Sequence, residues 1–78
     1  MFSERLNLTR KSRGITAQYM ATRLNMQIRG YRKYESGDTQ PPLDTLVQIA
    51  DILDVSIDWL LGRDQWLESR GVFFGERL

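Results

Sequence analysis

The sequence predicts an all-α fold, a compact five-helix domain with a short C-terminal extension. Three observations carry that prediction. Apolar residues recur at helical spacing, at Ala17, Met20, Ala21 and Leu24 and again at Leu46, Ile49, Ala50 and Leu53. A capping residue, Thr16, precedes the first of these stretches, and asparagine, Asn25, follows it. The connections are two to seven residues long, as between helices that share one core.

Ser3 is placed as the cap of a first helix, which Gly14 ends after Arg13. Leu6 points inward, with Phe2 and Thr9 or Arg10 one turn away. Thr16 caps a second helix, and Asn25 ends it, since asparagine tolerates the left-handed conformation. A third helix runs from about Gln27 to Glu35. It places Tyr31 and Tyr34 on one side and Ile28, Arg29, Arg32 and Lys33 on the other, and Gly37 stops it. The stretch SGDTQPP, Ser36 to Pro42, is the clearest loop. A fourth helix covers about Leu43 to Leu53, with Leu46, Val47, Ile49, Ala50 and Leu53 as its apolar face. Ser56 caps a short fifth helix that holds Ile57, Trp59, Leu60 and Leu61 and ends at Gly62. Beyond it, Asp64 to Gly71 is read as one more short helix, and VFFGERL as an extended segment.

Composition narrows the function classes. The 78 residues include no cysteine and no histidine, so a disulfide is excluded and a transition-metal site or other cofactor is not expected. The N-terminus carries Glu4, Arg5, Arg10, Lys11 and Arg13, which is unlike a secretion signal. Apolar runs are about three residues long, far short of the roughly 20 needed to span a membrane. The expectation is a cytoplasmic protein. Charge is divided unevenly. Residues 1–37 hold eight Lys/Arg and two acids, whereas residues 38–78 hold three Arg and eight acids. Such polarity suggests one face meant for a polyanion.

Helices two and three are joined by a very short turn at Asn25 and Met26. That spacing suits a helix-turn-helix, whose second helix enters the DNA major groove. The segment GITAQYMATRLNMQIRGYRKYESG, followed by PPLDTLVQIADILDVSIDWLLG, resembles the lambda-repressor-like (Cro-type) helix-turn-helix family. The resemblance covers residues 2–62. It rests on Gly14 and Thr16 before helix two, Ala21 and Leu24 inside it, YESG after helix three, and Pro41, Leu43 and Leu46 in register.

The resemblance implies that residues 1–62 form a DNA-binding domain whose third helix reads bases. Gln27, Ile28, Arg29, Arg32 and Lys33 are then the base-reading candidates. Gln27 suits adenine, Arg29 or Arg32 suits guanine, and Ile28 suits a thymine methyl. Phosphate contacts fall to Thr16, Ala17 and Gln18 at the start of helix two, to Arg13, and to Ser36, Thr39 and Gln40 in the loop. The resemblance also implies a structural ion pair between Arg10 and Glu35. The chain departs from the family pattern at Ala17, Asn25 and Gln27. Gly30, inside helix three, costs about 1 kcal/mol relative to alanine.

Residues 63–78 form the extension. With Trp66, Phe73 and Phe74 it is apolar for a tail: either it folds back and completes the small core or, together with Trp59, it pairs two subunits, and pairing is the expectation. The functional expectation is a small dimeric repressor that reads a palindromic operator in double-stranded DNA. The alternative is an antitoxin-like module whose extension binds a protein partner. No catalytic constellation stands out, so an enzyme is not expected.

Overall fold

The computed structural model describes residues 2–71, and the extended segment expected at VFFGERL, with Phe73 and Phe74, lies outside them. Among the described residues six helices follow one another: α1 (Phe2–Ser12), α2 (Ala17–Arg23), α3 (Ile28–Ser36), α4 (Leu43–Leu53), α5 (Ile57–Leu60) and α6 (Asp64–Glu68). Helices α1 and α2 both pack on α3, α2 also touches α4, and α5 lies against α1 and α4. Among the described residues there is no strand, and no helix is long and apolar enough to cross a membrane.

Local chemistry accounts for most of the boundaries. Thr16 and Ser56 are both in extended conformation, and their hydroxyls accept the N–H of Tyr19 and of Trp59, each at 3.0 Å. Each bond satisfies one of the donors that a helix start leaves unpaired. Two non-glycine residues take the left-handed conformation, Asn25 at φ 58° after α2 and Asp54 at φ 56° after α4. At both sites the next amide reaches back to a carbonyl of the last turn, Met26 to Ala21 at 3.0 Å and Val55 to Ala50 at 3.1 Å. Short polar side chains tolerate this backbone better than other non-glycine residues do.

The expected cap at Ser3 is corrected. Ser3 lies inside α1, because the buried Phe2 belongs to the helix. Gly14, at φ 71°, ends α1 one residue after Arg13, and the helix proper stops at Ser12.

The core gathers Leu6, Met20, Ala21, Tyr31, Ile49, Leu53 and Leu60, all fully buried. Ala21 sits where α2 faces α3, and the two tyrosine rings of α3 meet edge to face, 6.3 Å apart. One assignment to the core does not hold, and one residue placed in the fifth helix falls outside it. Val47 is 40% exposed and Leu61 43% exposed. Val47 lies one turn from the exposed Leu43 on α4, and Leu61 falls just past the last turn of α5.

Trp59 is half-buried, and its indole N–H donates to the buried Thr9 hydroxyl at 3.2 Å. The Arg5 guanidinium stacks 3.9 Å from the centre of the Trp59 ring. Arg5 also donates to the Trp59 carbonyl (3.0 Å) and to Asp64 (2.7 Å), so one side chain ties α1, α5 and α6 together.

A carboxylate holds α3 to α1. Glu35 accepts from Arg10 Nε (2.5 Å) and Nη2 (3.1 Å), from Asn7 (2.7 Å) and from the Tyr31 hydroxyl (2.5 Å). The Arg10 Nη1 donates to the Ile15 carbonyl at 2.8 Å, which draws in the α1–α2 turn. The two charged side chains are only 12% and 10% exposed.

Burial alone would raise the Glu35 carboxyl pKa, but hydrogen bonds from Arg10, Tyr31 and Asn7 outweigh it and hold the group below its usual range. The bond to Glu35, working against burial, raises Arg10. Burial first, then the bond to Glu35, raises Tyr31.

Two predictions follow from this network. Arg10→Met or Glu35→Leu alone leaves one charge buried without its partner and is expected to cost about 3–5 kcal/mol, while the double variant recovers most of the loss. Urea unfolding monitored by circular dichroism measures all three. Because the Glu35 pKa is depressed on folding, its stabilisation is present above the unfolded carboxyl value, about 4.3, and is lost as pH falls through the lower folded value. Thermal midpoints are therefore expected to hold between about pH 7 and 5.5, where no histidine titrates, and to fall below about pH 4.3.

Candidate nucleic-acid interface

Helical periodicity divides α3 into two faces. Tyr31 and Tyr34 are buried and Glu35 is bonded to α1, so the rotation of the helix is fixed from the inside. Arg29, Arg32 and Lys33 are exposed on the opposite side. None of the three forms an ion pair among the described residues. Three cations on barely more than one turn, without an ion pair among the described residues, make a compact positive surface.

The remaining base-reading candidates are placed differently. Gln27 is exposed at the N-cap of α3, and its side chain makes no capping bond, so its amide is turned to solvent rather than to the helix. Ile28 is half-buried and packs against the core. It sits at the edge of the outer face, not at its centre.

The phosphate candidates fall into two groups and one exception. At the start of α2, Thr16 and Gln18 are exposed. The Thr16 oxygen already caps the helix, and the Gln18 amide donates to Thr22 at 3.2 Å. Ala17 between them is half-buried against the core. Ser36 at the end of α3, and Thr39 and Gln40 in the loop after it, are all exposed. This loop is folded back on the helix end: the Lys33 carbonyl accepts from the Thr39 N–H (3.3 Å) and the Ser36 hydroxyl (3.2 Å). Gly37, at φ 87°, makes that reversal without a Cβ penalty.

The exception is Arg13. Its Nε donates to the Leu53 carbonyl at 2.8 Å and its Nη2 to the Asp54 carbonyl at 3.2 Å. These are last-turn carbonyls of α4, so the guanidinium serves as a cation at a helix C-terminus.

Reading the sequence missed one cation that the structure brings forward. Arg23 is exposed on α2 and donates to the Tyr19 hydroxyl at 2.7 Å, with its guanidinium 5.7 Å from the ring centre. The i, i+4 spacing of the two residues was the available signal. Asn7, the third side chain that donates to Glu35, had none.

Comparisons with known proteins agree with this geometry. A family model described as helix-turn-helix matches residues 6–60. The SPbeta prophage-derived uncharacterized HTH-type transcriptional regulator YonR of Bacillus subtilis is 48% identical over 61 residues, 78% of this chain and 56% of that protein. The transcriptional repressor RstR of cryptic phage CTXphi in Vibrio cholerae is 45% identical over 60 residues, 77% of this chain and 54% of that protein. The chain thus spans about half the length of the curated relatives it matches. Among solved structures, a transcriptional regulator from Listeria innocua superposes with a TM-score of 0.72 at 31% identity, covering 99% of this chain and 81% of that one.

The Arg13 contact can be tested directly. Arg13→Ala is expected to destabilise the domain by about 1 kcal/mol through loss of the α4 cap, as read from its thermal midpoint.

Proposed function

This chain belongs to the helix-turn-helix family, and from that premise we propose that it is a sequence-specific DNA-binding transcriptional regulator, a small dimeric repressor. The observation that carries the reading is the outer face of α3, whose three exposed cations form no ion pair among the described residues. Arg29 and Arg32 offer forked donors that match guanine O6 and N7, and Gln27 offers an amide that matches adenine. Lys33 and the exposed Ser36–Gln40 loop lie alongside and suit phosphate oxygens. Thr16, the Gln18 side chain and the amides opening α2 supply phosphate contacts on the other side of the turn. Arg13 has no part in this reading, because α4 already uses its guanidinium.

Repression follows by occlusion: a protein seated in the major groove blocks access to the same stretch of duplex. Pairing of two chains on a palindromic site multiplies the modest affinity of one helix-turn-helix. The extension is the surface for that pairing. Trp66 is 46% exposed, with Arg63 and Arg70 stacked near its ring at 4.9 and 4.5 Å, and Leu61 is exposed nearby in sequence. A large aromatic left half in water is a natural anchor for a second copy.

Selection from a random duplex pool gives the site and shows whether it is a palindrome. On the selected duplex, Arg29→Ala is expected to change the preferred base at one position, at a cost of about 1–3 kcal/mol. Lys33→Ala is expected to weaken all sequences alike and to lower the salt slope by about one unit. Equal affinity of both variants and the parent for the duplex would remove the assignment of α3 to the groove. Light scattering of the full chain and of a chain ending at Gly62 tests the pairing. The shorter chain is expected to be monomeric and to lose DNA affinity.

A further inference from the structure

Two exposed stripes of the chain share one spacing and carry opposite charge. At the start of the extension, Trp66 has an arginine three residues before it and another four after, Arg63 and Arg70. Their guanidiniums stand 4.9 and 4.5 Å from the centre of its ring, and all three residues are exposed. On α4, Val47 has an aspartate three residues before it and another four after, Asp44 and Asp51. These offsets put the three on one flank of the helix, and all of them are exposed. One stripe is an aromatic ring between two cations, the other an aliphatic side chain between two acids.

Within one chain these charges find little to answer them. Asp44, Asp51 and Arg70 form no ion pair among the described residues. Asp44 accepts the adjacent Thr45 N–H at 3.1 Å. Arg63 pairs with Asp58 at 3.3 Å, but the two side chains are 51% and 44% exposed, and ion pairs that open to water hold weakly. Two guanidiniums gathered near one ring also repel each other, and a carboxylate brought alongside relieves that repulsion.

We propose that the Arg63–Trp66–Arg70 stripe of one copy docks on the Asp44–Val47–Asp51 stripe of a second copy, which returns the same contact by two-fold symmetry. The proposal rests on the reading of the extension as the pairing surface and names what lies opposite it. Trp66 packs on Val47, and the guanidiniums meet the carboxylates on either side. The paired charges steer the approach and set the register, while the tryptophan supplies the apolar anchor. Pairing of the extension with itself would bring four arginines together, and like charges face to face disfavour it. Because each copy offers both stripes, the reciprocal contact closes the assembly at two chains.

The test exchanges the charges in the full chain and reads mass by light scattering at micromolar concentration without DNA. One variant carries Asp44→Lys with Asp51→Lys, the other Arg63→Glu with Arg70→Glu. Each alone sets like charges against like and is expected to pair at least about a hundredfold more weakly than the parent. An equimolar mixture is expected to restore the dimer, because every α4 then faces an extension of opposite charge. Thermal unfolding shows whether the variants fold. If either does not, Val47→Lys supplies the reading: it adds a cation opposite Arg63 and Arg70 and is expected to weaken pairing about tenfold or more. The proposal is overturned by a charge variant that pairs alone as the parent does, by a mixture that stays monomeric, or by a Val47→Lys chain of parental strength. It is also overturned if Arg63→Glu with Arg70→Glu lowers DNA affinity at unchanged mass, which would assign those cations to phosphate, or if the parent grows beyond two copies. A monomeric parent overturns both this proposal and the pairing beneath it. A parent dimer that is lost on truncation at Gly62 but is indifferent to the charge exchange overturns this proposal alone.

Discussion

The Glu35 carboxylate is the point on which the orientation of α3 depends. It gathers donors from Asn7 and Arg10 on α1 and from Tyr31 on its own helix, and Arg10 extends the network to the α1–α2 turn through Ile15. Hydrophobic packing alone would leave α3 some freedom to roll, since buried contact area is not directional. Four hydrogen bonds to two oxygens are directional, and their lengths fix both the rotation and the axial position of the helix. The network carries a risk as well, because a carboxylate this far from water is tolerable only while its partners remain in place. The structure leaves no buried side-chain polar atom unsatisfied among the described residues, so the condition is met.

The basic residues divide by task in a way that counting charges does not reveal. Residues 1–37 hold eight cations, yet Arg5, Arg10 and Arg13 all turn toward the protein. Arg5 stacks on Trp59 and bonds Asp64, Arg10 serves Glu35, and Arg13 caps α4. The excess positive charge of the first half is thus partly structural. What remains on the surface is more concentrated than the count suggests, with Arg29, Arg32 and Lys33 on a single short helix.

Much of the fold was legible because its signals are local. Thr16 and Ser56 read as caps since a hydroxyl before a helix has one obvious use, and Asn25 read as a stop since few side chains tolerate its backbone. The failures are non-local. Whether Val47 is covered depends on where other helices end, which periodicity within α4 does not encode. The contacts of Trp59 were not legible, because Thr9 and Arg5 stand 50 and 54 residues earlier. Ser3 was misplaced because the apolar Phe2 before it extends α1 backward. At the candidate interface the residue types were legible from α3 alone. The use of Arg13 was not, since the carbonyls that claim it belong to a helix 40 residues away.

The separation of the two faces of α3 has an evolutionary consequence. Its inner residues are bound to the core by packing and by the Glu35 network, so mutations there are purged as folding defects. The outer positions make no ion pair with the described remainder of the chain, and substitutions there leave the scaffold untouched. A lineage can therefore explore new outer faces on an unchanged framework at little risk to solubility or abundance. Closely related chains of this kind can diverge until they ignore one another's targets, and several can then coexist in one cell without interference.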